Sequence, residues 1–63
     1  MSNVIPELFL RALRIGRYDS DWTLGELIKD FEFVCRTYDS PITLPAAYYL
    51  GFYVGVAMRI GEA

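Results

Sequence analysis

The stretch from Ala46 to Met58, AAYYLGFYVGVAM, carries no charge, holds three tyrosines, and places a small residue at every fourth position: Ala47, Gly51 and Gly55. As a helix, its 3.6-residue turn gathers those three into one narrow stripe along which another backbone can come close. Tyr48, Phe52 and Val56 then flank one side of the stripe, and Leu50, Val54 and Met58 the other. As a strand, Phe52, Val54, Val56, Met58 and Ile60 alternate with Tyr53, Gly55, Ala57 and Arg59, and valine and aromatic residues favour extended backbone. Two glycines also weaken a helix by up to about 1 kcal/mol each relative to alanine. Length decides for the helix, because the run is long for one strand and no second convincing strand exists to pair with it. Thr43 suits the cap, Pro45 is tolerated in a first turn, and Gly61 suits a stop, so the expected helix spans 44–60.

Upstream, WTLGEL has the form of a capping box: Thr23 caps, Glu26 reaches back three residues later, and Trp22 before the cap can staple onto Leu27. Leu24, Leu27, Ile28, Phe31, Val34, Cys35 and Tyr38 then keep one face apolar, predicting a helix over 24–38. The run DSPIT ends it, because Ser40 precedes Pro41 and is biased away from helical angles. Nearer the N-terminus, Ile5, Leu8, Phe9, Ala12 and Leu13 recur at helical spacing, with Pro6 and Glu7 suited to a first turn and Gly16 to a stop, predicting a helix over 6–15. The expected fold is all-α, a small three-helix domain over residues 1–63, without internal repeats, low-complexity tracts or linkers.

A chain of 63 residues buries only about 60% of the surface its unfolded form exposes. Yet 54% of the residues are hydrophobic, more than so small an interior can hold, so part of the surplus is expected on a surface that meets a copy or a partner. The stripe on the third helix is the natural place, and Ala47, Tyr48, Gly51, Phe52 and Gly55 are the expected self-association residues. A competing reading makes residues 44–60 the membrane helix of a small membrane-associated or structural subunit, since GxxxG occurs in such spans. Against it, the strictly apolar run is short for a bilayer, three tyrosine hydroxyls would sit at depth, and Ser40, Pro41, Thr43 and Pro45 crowd one end.

Catalytic signatures are missing. The chain has no histidine, so the usual base for an activated nucleophile is absent, and Cys35, on the apolar stripe of the second helix, reads as a small core residue. Glu26 and Asp30, one turn apart, read as a solvated face. No phosphate-binding glycine loop or metal-ligand spacing is present, so no catalytic, cofactor or metal site is expected. A single cysteine suits a reducing compartment. In MSNVIPELFLRALR the basic residues follow the apolar ones, the reverse of a secretory signal, and the expected location is cytoplasmic.

Net charge is −2, unevenly placed. Residues 1–17 set Arg11, Arg14 and Arg17 against Glu7, for +2. Residues 18–39 set Asp19, Asp21, Glu26, Asp30, Glu32 and Asp39 against Lys29 and Arg36, for −4; Arg59 and Glu62 cancel. The arginines of the first helix are candidate partner-binding residues, with an ordinary solvated face as the simpler account. A helix-turn-helix would need a basic recognition helix, and the third helix carries only Arg59, so a nucleic-acid regulator ranks third. In size, acidity and helical content the chain resembles small proteins of phages and other mobile elements, which implies a stoichiometric inhibitor or adaptor. The expected function is thus non-catalytic: self-association through the third helix, and binding of another macromolecule, a protein first.

Overall fold

The computed structural model describes residues 4–37 and 43–62. It contains three helices, α1 (Val4–Tyr18), α2 (Leu24–Thr37) and α3 (Leu44–Glu62). Residues 50–60 are helical throughout, and the strand alternative falls away. The expected break at Ser40–Pro41, and Tyr38, lie outside the described residues.

Both visible caps form as their residue types dictate. Glu26 N–H donates to Thr23 Oγ1 at 3.3 Å while Glu26 Oε1 accepts from Thr23 N–H at 3.0 Å, a reciprocal capping box. Those bonds to the ionised form hold the Glu26 carboxyl below its ordinary value, the Thr23 backbone N–H foremost. Thr43 Oγ1 accepts from Ala46 N–H at 3.3 Å and opens α3.

The end of α1 differs from expectation. Gly16 does not stop the helix but is buried inside it, and α1 continues to Tyr18. The reason is tertiary. A Cβ built on Gly16 would lie 3.1 Å from the Phe52 carbonyl carbon and the Val56 nitrogen, and closer still to the Phe52 oxygen. Gly51 meets Phe9 and Gly55 meets Leu13 and Arg17 in the same way, backbone against backbone. α1 and α3 are therefore locked together through three absent side chains, with Ala12 and Ala47 also buried. The register, Phe9 at Gly51, Leu13 at Gly55 and Arg17 at Glu62 with 2.9 Å between Arg17 Nε and Glu62 Oε1, shows that α1 and α3 run parallel. Gly61 has no neighbour within 4 Å of an added Cβ and lies within the helix, which runs on to Glu62.

α2 packs on the opposite flank of α3 and runs antiparallel to it. Trp22, just before α2, reaches Phe52 and accepts a hydrogen bond from Arg59 at its carbonyl, while Asp30, further along, meets Tyr53. The core here is Leu27, Val34, Tyr53 and Val56, with Trp22, Leu50, Phe52 and Ile60 packed around it. No Cα of α1 lies within 8 Å of one in α2 among the described residues. The order across the molecule is α1, α3, α2, and the extents of 37 × 24 × 14 Å describe a single layer of helices. Among the described residues no helix is long and apolar enough to cross a membrane, and α3 is flanked by α1 and α2.

Two stability predictions follow from these contacts. Thr23→Ala should cost about 1 kcal/mol in thermal or urea unfolding. Because the Glu26 carboxyl is depressed in the folded state, its contribution is present above the ordinary carboxylate range and should be lost as pH falls through the folded value. The glycines should divide by location. Gly51→Ala or Gly55→Ala should destabilise by about 1–3 kcal/mol through overpacking, although alanine is the better helix former. Gly61→Ala, in open space, should stabilise by about 0.5 kcal/mol. A gain of stability at all three sites would mean that α1 does not rest on the glycines.

Candidate interaction surface

At 100° per residue, α3 has four sides. Ala47, Gly51 and Gly55 face α1; Ala46, Tyr53, Val56 and Ile60 face α2. Between them, one broad side carries Leu50, Val54 and Ala57, and the other carries Tyr48, Phe52 and Arg59. A layer one helix thick covers flanks, not broad sides, and the two broad faces of the molecule differ in chemistry.

One face is closed by the connection between α1 and α2. Residues 19–23 pass across α3 on this side, setting the Trp22 ring edge-on to Phe52 with centroids 4.9 Å apart and 6.4 Å from Tyr53. Phe33, Tyr48 and Tyr49 extend the aromatic surface, with Glu26, Lys29 and Asp30 among them. Tyr53 is buried and donates its hydroxyl to Asp30 Oδ2 at 2.7 Å. Burial first, and the hydrogen bond to Asp30 second, push the Tyr53 hydroxyl well above the ordinary tyrosine value.

The other face is open. A groove of ≈ 520 Å³ runs between α2 and α3, lined by Ile28 and Phe31 on one bank and Leu50, Val54 and Ala57 on the other, with Leu27 and Tyr53 at its floor and Glu32 at its rim. On α1 the same wheel puts Leu10 and Leu13 on this face: Gly16 points at Phe52 and Val56 on the closed side, so Leu13 and Leu10 turn the opposite way. The lining is almost wholly apolar, with Glu32 as its charged member. Among the described residues no group of three or more His, Cys, Asp or Glu could hold a metal ion.

The residues singled out in the sequence fall in different places. Ala47, Gly51 and Gly55 are buried against α1 of the same chain. The stripe expected to receive a second copy is thus already filled, and a copy meeting α3 must use another side. Tyr48 and Phe52 are half-buried on the closed face. Arg11 and Arg14 are exposed on α1, while Arg17 pairs with Glu62 and lies 5.0 Å from the Tyr18 ring centroid. Cys35, expected in the core, is exposed. Leu27 and Val34 form the buried strip of α2 against α3, with Asp30 and Phe31 meeting Tyr53 at its edges, Phe31 edge-on at 5.8 Å between ring centroids, and Cys35 falls outside it with Leu24 and Ile28. Sequence reasoning missed the open face, because an apolar stripe looks the same whether a neighbour covers all of it or half. The Ala12–Gly16 spacing, which continues the four-residue rhythm of α3, was the available sign that the glycine seam closes within the chain.

No protein-family model, curated protein or solved structure matches this chain.

The Tyr53–Asp30 bond makes a pH prediction. Tyr53→Phe should lower stability by about 1 kcal/mol at neutral pH, from the lost hydrogen bond. A tyrosine held protonated in the folded state contributes stability below its ordinary value, near 10.0, and loses it as pH rises through the folded value. The wild type should therefore destabilise more than the variant above that pH, and the gap in Tm should narrow. A constant gap would place Tyr53 outside the linkage.

Proposed function

We propose that this chain is a non-catalytic cytoplasmic protein that self-associates with α3 at the centre and works by binding another protein, as an inhibitor or adaptor. One observation carries the reading: the open face, where Ile28, Phe31 and Val54 stand exposed at the α2–α3 groove, with Leu24 of α2 and Leu10 of α1 also exposed, although the chain has few apolar residues in its core. A contiguous apolar surface of this kind marks an association site. The lack of histidine removes the usual base for an activated nucleophile. Partner capture falls to the closed aromatic face and to Arg11 and Arg14, which are exposed. Aromatic side chains with one polar tip are favoured at protein interfaces.

The test combines mass with capture. Light scattering across a concentration series should give more than the 7.2 kDa of one chain. Capture from an extract of the native cell should retain a protein in constant ratio. Replacing Arg11 and Arg14 with Gln should change stability by no more than about 0.5 kcal/mol and weaken that capture. A monomer at every concentration that retains nothing would overturn the reading.

A further inference from the structure

We infer that the open face is covered by the same face of a second copy, with the two-fold axis parallel to α3, so that α1 of each chain lies over α2 of the other; this rests on the self-association in the proposed function. The first argument is area. Leu10, Leu24, Ile28, Phe31 and Val54 are between 41% (Val54) and 53% (Leu24) exposed. Together they leave roughly 450 Å² of side-chain surface per chain, and two copies face to face cover about 900 Å² before Leu13, Leu50 and Ala57 are counted, near the threshold for a specific interface.

The second argument is charge, and it selects the symmetry. Within the described helices α1 sets Arg11, Arg14 and Arg17 against Glu7, for +2, with Arg17 already paired to Glu62 of α3, and α2 sets Glu26, Asp30 and Glu32 against Lys29 and Arg36, for −1. Stacking two layers about an axis perpendicular to the helices would lay α1 on α1 and α2 on α2, like on like. An axis parallel to α3 exchanges the flanks and lays the basic helix on the acidic one, whose Glu32 lines the groove.

Register follows from the fold. Leu10 stands one residue beyond Phe9, which meets Gly51, and Phe31 follows Asp30, which meets Tyr53. Both lie at the same height along α3, so the parallel axis seats Leu10 of one chain on Phe31 of the other. Within one chain α1 and α2 stand apart on opposite flanks of α3. The outcome is a two-layer, six-helix dimer whose aromatic faces both point outward.

The experiment uses the full chain with Cys35→Ser as background. Leu10→Cys and Phe31→Cys proteins are oxidised separately and as a mixture, and the products are mapped by mass spectrometry. The expected result is a Leu10→Cys to Phe31→Cys heterodimer in the mixture and little cross-linking in either protein alone. Val54→Glu in the otherwise native chain should halve the mass seen by light scattering while the helical circular dichroism persists, since Val54 is exposed on the open face. Cross-linking of each variant with itself would overturn the parallel axis and leave self-association standing. A wild type monomeric at all concentrations would overturn both, and would make a different protein the occupant of this face.

Discussion

Direct backbone contact between α1 and α3 is the constraint on which the rest of the structure depends. Gly16, Gly51 and Gly55 each face a peptide unit of the opposite helix, with no room for a Cβ. Contact this close fixes register as well as distance, because a slide by one residue would bring side chains against the backbone. It also fixes direction. With α1 seated along one flank of α3, the short connection at residues 19–23 has to cross α3 before α2 can begin, and α2 takes the remaining flank.

The flat shape follows. Helices joined by short loops usually pack as neighbours, yet here the third helix separates the first two. A layer of three has one central helix, and only that helix is covered on two sides. This accounts for the composition of α3, which is apolar around most of its circumference, and for the strongly one-sided α1 and α2. It also limits the core to a few large side chains beside α2, where the Tyr53 hydroxyl must find Asp30 to avoid being buried without a partner.

A single layer has two faces, and the crossing loop makes them unequal. Trp22 and its neighbours close one with aromatic rings and charged groups; the other keeps an aliphatic groove. A chain of this length has little stability to spare as a monomer. Apolar surface left open on one side is the ground of the association proposed for this chain.

How much of this could be read from the residues depends on how local the cause is. The Thr23–Glu26 box, the Thr43 cap and the helical character of residues 44–60 rest on interactions within a few positions, and the sequence alone determines them. The apolar surplus in so short a chain is likewise a matter of composition. Which neighbour meets which stripe is not local. Gly16 reads as a helix stop until Phe52 and Val56 are seen against it; Cys35 reads as core until α2 proves to be covered on one narrow strip; and the Ala47–Gly51–Gly55 seam reads as open until α1 fills it. Only the tertiary structure decided these, because a stripe of small or apolar side chains encodes close approach and says nothing of which helix approaches.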